Sequence, residues 1–299
     1  MKKNHFTLGK IIVLALPIFL FINCSKKRIE PKIEPKEKTL NTYASVNTYL
    51  DSKQVQEQEF IIDSLGTGPI TGNQGTKIWN GKQCLMFPNG DSVTWPYTVK
   101  LVELYTPKDM IYYQIPTMSS GEIMKTKGEI RLRAFKNGTE LLLKPQPCMA
   151  QIEMPSTTPE NDMHVFNGSD WLEESPINAF TTLTNGHAAN IHTLGWINCG
   201  VKAGSSTNAS FSFTSSTDDL TNVGKFIYFP LTKTVMQLNS LTSQNIPIGS
   251  SVKIIFIAVN SSGSLFHFYQ DLTVTSTTSV DVTMTAISDA DLTTKLDNL

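Results

Sequence analysis

The chain has 299 residues with 25 Lys/Arg against 26 Asp/Glu, a net charge of −1. Charged residues make up only 17% of it, and outside a basic N-terminal stretch the balance falls to about sixteen against twenty-three, with no basic cluster. That excludes a nucleic-acid partner, which needs a concentrated positive surface.

The N-terminus carries an address. Lys2, Lys3 and Lys10 lead into an apolar run from Ile11 to Ile22, broken only by Pro17. The run is too short for a spanning anchor of about 20 apolar residues, and basic start plus short apolar middle is the layout of an export signal. It closes on Cys24, and so resembles a bacterial lipoprotein signal: residues 1–23 are cleaved and Cys24 carries the lipid. Residues 24–55 then read as a tether. Ile29-Glu30-Pro31-Lys32 and Ile33-Glu34-Pro35-Lys36 repeat charge and proline, which disfavours helix and suits an extended spacer.

From residue 56 the pattern turns to strands. Asn80-Gly81 between Thr76–Trp79 and Gln83–Phe87 predicts a tight type I′ hairpin, because the Asn-Gly pair tolerates positive φ. Tyr97 to Tyr105 is β-rich and stops at Thr106-Pro107-Lys108-Asp109, and Met110 to Ile115 is a further short apolar run. Ile130, Leu132 and Ala134 alternate with Arg131 and Arg133, giving one core face and one wet face. Asn137-Gly138 predicts another turn. Residues 56–155 thus read as a first antiparallel β-sandwich, and residues 156–200, rich in turns, as a connector or covering loops.

Strand signals resume from residue 201 to 287. Ser251 to Val259 and Leu265 to Leu272 flank the turn Asn260-Ser261-Ser262-Gly263, and Val280, Val282, Met284 and Ala286 keep a period of two. This is a second sandwich. Ser288 then caps a short helix within residues 288–299, with Asp289 and Asp291 favourable in its first turn. The expected fold is all-β: two antiparallel sandwiches in tandem.

Gly75-Thr76-Lys77-Ile78, Phe87, Glu103-Leu104, Asp109-Met110 and the stretch from Gly128 to Asn137-Gly138 resemble ZU5-like β-sandwich modules of Bacteroidota envelope lipoproteins. The segment Leu194-Gly195-Trp196-Ile197-Asn198-Cys199 resembles the one that precedes their second β-domain, with Gly200 where Asp is common. The resemblance implies an exported, outer-membrane lipoprotein without naming a reaction. Ser25-Lys26-Lys27-Arg28 stands where surface-exported relatives carry acidic residues, which favours the periplasmic face. Asp63-Ser64-Leu65 and Asp91-Ser92-Val93 resemble O-glycosylation triplets, with Ser64 and Ser92 as acceptors.

Chemistry-bearing residues are sparse. Cys84, Cys148 and Cys199 match no C-x-x-C pattern; an oxidised Cys84–Cys148 pair is one reading and small buried thiols are the favoured one. His187 and His192, five apart, are weak metal candidates. Asp162, His164 and Asp170, with Glu173 and Glu174 behind, could hold a cation or an activated water. No serine elbow, phosphate loop or cofactor motif is present. Tyr105, Tyr112 and Tyr113 offer an aromatic binding face. Two functions follow: a non-enzymatic envelope module that binds a protein or glycan, and a cell-wall or polysaccharide hydrolase using carboxylates of residues 160–175. A concave pocket collecting Asp162, His164 and Asp170 would favour the hydrolase, and their dispersal favours binding.

Overall fold

The computed structural model describes residues 39–64, 68–79, 81–175, 178–204 and 207–299. Cys24, the signal and the first part of the tether lie outside the described residues, as does Asn80. The described chain is mostly β-strand with three short helices, so the all-β class holds. Thr39–Leu299 forms one compact unit.

Two sheet systems make it up. In the N-terminal one, a large sheet runs through the strands Gln58–Ile62, Tyr97–Leu104, Glu122–Lys136, Gly195–Lys202, His164–Asn167 and Leu172–Glu173. A second sheet orders Thr181–Leu183, Gly186–Ile191, Ala150–Pro155, Lys77–Trp79 and Ile70–Thr71. The alternation in Glu122–Lys136 explains the layering: Ile130, Leu132 and Ala134 are buried with Leu101, Ile152 and Ile191, while Arg131 and Arg133 face outward onto Glu57. In the C-terminal system, Thr234–Gln237, Gly224–Phe229, Ser251–Val259, Leu265–Thr273 and Thr285–Ile287 form one sheet. Its core gathers Phe211, Phe213, Phe256 and Val282.

A third core joins the two systems. Leu50, Val102, Leu104, Met110, Tyr112, Phe226, Ile255 and Leu296 pack together, drawing on residues from Leu50 to Leu296. The seam is also stitched by backbone: Thr117 N–H donates to Val235 O (2.8 Å) and Thr126 N–H to Thr232 O (3.0 Å).

Several expectations need correction. Residues 156–200 are no connector: Gly195–Lys202 pairs with Glu122–Lys136, and Gly186–Ile191 with Ala150–Pro155. The tether does not reach residue 55. Asn41 and the Tyr43 hydroxyl donate to the buried Asp218 carboxylate (3.0 and 2.6 Å), and Asn47–Ser52 is a helix that buries Leu50. The Gly81 hairpin is absent: Gly81 is extended (φ −102°) and leads a 3₁₀ turn, Lys82–Cys84. Lys77–Trp79 pairs instead with Ile70–Thr71 and Ala150–Pro155, and Leu85–Met86 with Leu142–Leu143. The sheets are not wholly antiparallel, since Phe211–Thr214 runs parallel to Thr278–Asp281. Cys84 and Cys148 form a disulfide with Cα atoms 5.1 Å apart, so the buried-thiol reading holds only for Cys199.

Other local readings match. Asn137 (φ 51°) and Gly138 (φ 78°) both take positive φ in a two-residue turn, with Lys136 opposite Thr139. Val259 lies opposite Leu265 across the Asn260–Gly263 turn. Ser288 accepts from Asp291 N–H at the start of the Asp289–Asp297 helix.

Candidate functional site

The site is built on one irregularity of the long central strand. Opposite Gly195–Lys202, Glu129 faces Asn198 and Thr126 faces Gly200, so Cys199 alone opposes Lys127 and Gly128. Such a bulge bends the strand and re-aims its side chains. Gly128 takes φ +139°, and a Cβ there would sit 2.3 Å from the Tyr105 ring. Only glycine supplies both the backbone conformation and the room. Tyr105 directly follows the Tyr97–Leu104 strand, in which Leu104 faces Glu129, and its ring is held against the bulge. Its hydroxyl meets Thr76 Oγ1 at 2.6 Å, and burial raises its pKa.

Lys127 is turned toward Glu160 by the same bulge. Its side chain is 6% exposed and pairs with Glu160 Oε1, while Lys125 pairs with Oε2. The two ammonium groups hold the Glu160 carboxyl below the usual carboxylate range. Glu160 N–H donates to His187 Nε2 at 3.1 Å.

A cleft of about 420 Å³ opens beside these groups, lined by Gln74, Tyr105, Lys127, Ser156, Asn185 and Lys233 among others. Gln74 is held by Glu103: its side-chain amide donates to Glu103 O (2.9 Å) and its backbone N–H to Oε2 (2.9 Å). Lys233 (φ 55°) comes from the turn after Gly224–Phe229, fixed beside Lys127 by the Thr126–Thr232 bond. The cleft therefore presents ammonium, amide and hydroxyl groups around an aromatic ring. No family model, no curated protein and no solved structure matches the chain.

The sequence candidates fare unevenly. Of the three tyrosines, only Tyr105 lines this cleft. Tyr112 is 3% exposed in the third core, and Tyr113 donates its hydroxyl to Val55 O (2.6 Å) and packs edge-on against Trp196. They are not a common face, because the run Met110–Tyr113 belongs to the helix Pro107–Tyr113.

Asp162 and Asp170 are exposed, and His164 Nδ1 lies 3.1 Å from Glu173 Oε1. None of the three lines this cleft or the cavities at Ser120–Ile123, Leu265–His267 and Glu174–His192. His187 is buried, edge-on to Phe180, and burial lowers its pKa. His192 lies five strand residues on, roughly 17 Å of extended chain, with Nδ1 3.4 Å from Cys148 O. Among the described residues no group of three or more His, Cys, Asp or Glu is placed to hold a metal. Ser64 and Ser92 are both exposed.

Lys127, Lys233, Gln74 and Asn185 were not singled out by sequence reasoning. Gly128, a glycine inside an otherwise regular strand pattern, is the local signal from which the bulge can be read.

Proposed function

We propose that the chain is a membrane-anchored envelope lipoprotein that works as a non-enzymatic recognition module for a protein or glycan. Cys24 carries the lipid, and the basic residues after it sit against anionic head groups on the periplasmic face of the outer membrane. The two sheet systems are two sandwich modules fused through a shared core. The observation that carries the reading is the cleft at the Lys127–Gly128 bulge, where binding groups converge on an aromatic ring. That Asp162, His164 and Asp170 line neither this cleft nor the cavities at Ser120–Ile123, Leu265–His267 and Glu174–His192 speaks against the hydrolase. The Cys84–Cys148 disulfide suits an oxidising compartment. Ser64 and Ser92 are exposed acceptors for O-linked sugar, checked by glycopeptide mass spectrometry.

Cross-linking and capture from native membranes tests the reading. The wild-type chain should retain an envelope partner, and Cys24→Ala should accumulate as unlipidated precursor. Normal maturation of Cys24→Ala, or a Tyr105→Leu variant that folds and captures the same partner undiminished, would remove its basis.

A further inference from the structure

We propose that the cleft beside the bulge takes a sugar that carries an anionic group, as a carboxylate or as a sulfate or phosphate ester. This deepens the recognition reading and rests on it.

The charge argument comes first. Lys233 is exposed at the rim and makes no ion pair among the described residues. Lys127 reaches the cleft with its ammonium shared, because Glu160 is divided between Lys127 and Lys125. Two cations thus face one carboxylate, and Lys233 adds a third. Glu103, behind Gln74, has its lone pairs taken by Gln58 Nε2, Gln74 N–H and Thr76 N–H at 2.8 to 2.9 Å, neutral donors that leave its charge in place. Lys125, Lys127 and Lys233 against Glu160 and Glu103 leave a single positive charge, carried at the rim by Lys233, and a partly enclosed site strengthens its attraction for an anion.

The uncharged lining narrows the class. A bare anion needs only cations and N–H donors, yet the cleft also offers the Tyr105 ring, the amides of Gln74 and Asn185, and Ser156 and Thr157. An aromatic ring flanked by hydroxyls, the Asn185 amide and the Gln74 amide, whose Nε2 already donates to Glu103 O, matches a pyranose, which has an apolar C–H face and an equatorial belt of hydroxyls. The volume of about 420 Å³ lies in the usual range for small-ligand sites. Tyr105 cannot swing away, since its ring rests on Gly128 and its hydroxyl on Thr76. A fixed platform lowers the entropic cost of capture.

The test uses the full lipidated chain in detergent, titrated calorimetrically with oligogalacturonate, a sulfated heparin oligosaccharide, neutral malto-oligosaccharide of equal length and inorganic phosphate. At least one acidic oligosaccharide should bind about tenfold or more tighter than the neutral one and than phosphate. Its affinity should fall as salt rises from about 50 to about 300 mM. Lys233→Gln should weaken it about 3- to 10-fold. Lys127→Gln is the more drastic change and risks the fold, because that ammonium is nearly buried against Glu160; Lys233→Gln, at an exposed position, keeps the test decisive. Equal affinity for the neutral oligosaccharide, equal affinity for phosphate, an unmoved Lys233→Gln titration, or no binding by any probe would each overturn the ligand class. If that happens while envelope capture through Tyr105 persists, only this inference falls; if capture is lost as well, the recognition reading falls with it.

Discussion

Glu103 and Glu129 stand one residue out of register on neighbouring strands, since Glu103 faces Ile130 and Leu104 faces Glu129. Both are buried, at 1% and 0% exposure. Their surroundings differ in donors. Glu103 accepts from two backbone N–H groups and one amide, and in return fixes the turn at residues 72–76 that carries Gln74. Glu129 accepts on one oxygen only, from Thr117 Oγ1 (3.2 Å) and Asn198 Nδ2 (3.0 Å), and its Oε2 is buried without a partner. Burial pushes the Glu129 carboxyl up to about 8, with the two hydrogen bonds only partly offsetting it. The lesson is that depth alone does not set the cost of a buried carboxylate. The number of N–H groups aimed at it does.

The sharpest way to break this comparison is to remove each carboxylate in turn. Glu103→Ala strands the donors of Gln74 and Thr76, and each unsatisfied buried group costs about 1–3 kcal/mol. Chemical denaturation should show a loss on the order of 4 kcal/mol. A loss below about 1 kcal/mol would mean that water replaces the carboxylate.

Glu129 should show its difference through pH. In the unfolded chain it ionises near the ordinary value of 4.5, and in the fold near about 8. Between these values the folded state holds a proton that the unfolded state has released, so stability falls as pH rises from about 4.5 to about 8 and then levels. At roughly 1.4 kcal/mol per pKa unit the drop amounts to a few kcal/mol. Glu129→Gln keeps the shape and removes the titration, so urea midpoints should lose that slope and exceed wild type above pH 8. A wild-type profile with no slope in this window would show that Glu129 is ionised in the fold and solvated by a route other than Thr117 and Asn198.

What could be read in advance follows the same division between local and long-range causes. Asn137-Gly138, the Asn260–Gly263 turn and the Ser288 cap are decided by neighbours within a few residues, and each is legible. The Pro107–Tyr113 helix also had a local signature: Thr106 accepts from Asp109 N–H, with Pro107 in the first turn. Its start at Thr106–Asp109 reads equally as a strand stop, and the apolar run from Met110, with Met110 to Tyr112 all buried, shows no helical stripe. The cleft was not legible. Lys127 and Lys233 come from chain segments about a hundred residues apart, and what joins them is the register of Thr126 against Thr232. Residues 156–200 depart from the expected connector for a related reason, since Gly195–Lys202 finds its partner strand some seventy residues upstream.

Two glycines carry the comparison to smaller effects. Gly128 combines φ +139° with direct contact to the Tyr105 ring. Gly128→Ala should therefore cost about 2–3 kcal/mol in thermal or urea unfolding and displace Tyr105, weakening any ligand the cleft holds. Retained stability with unchanged Tyr105 fluorescence would mean the bulge relaxes at no cost.

Gly81 is the counter-case and the smallest effect. The Asn-Gly pair at 80–81 suggests a positive-φ turn in which a side chain is costly. In the fold Gly81 is extended at φ −102°, a conformation open to every residue. The atoms nearest a Cβ there are those of the Gln83 amide, at 2.3 to 2.6 Å, and that amide ends a flexible side chain able to rotate away. No backbone hydrogen bond depends on the missing side chain, for Gly81 contributes its carbonyl to Cys84 N–H (3.0 Å) and an alanine keeps it. Gly81→Ala should shift stability by no more than about 0.5 kcal/mol in either direction. A loss of about 1 kcal/mol or more would restore the positive-φ hairpin at this position and with it a different pairing for Lys77–Trp79.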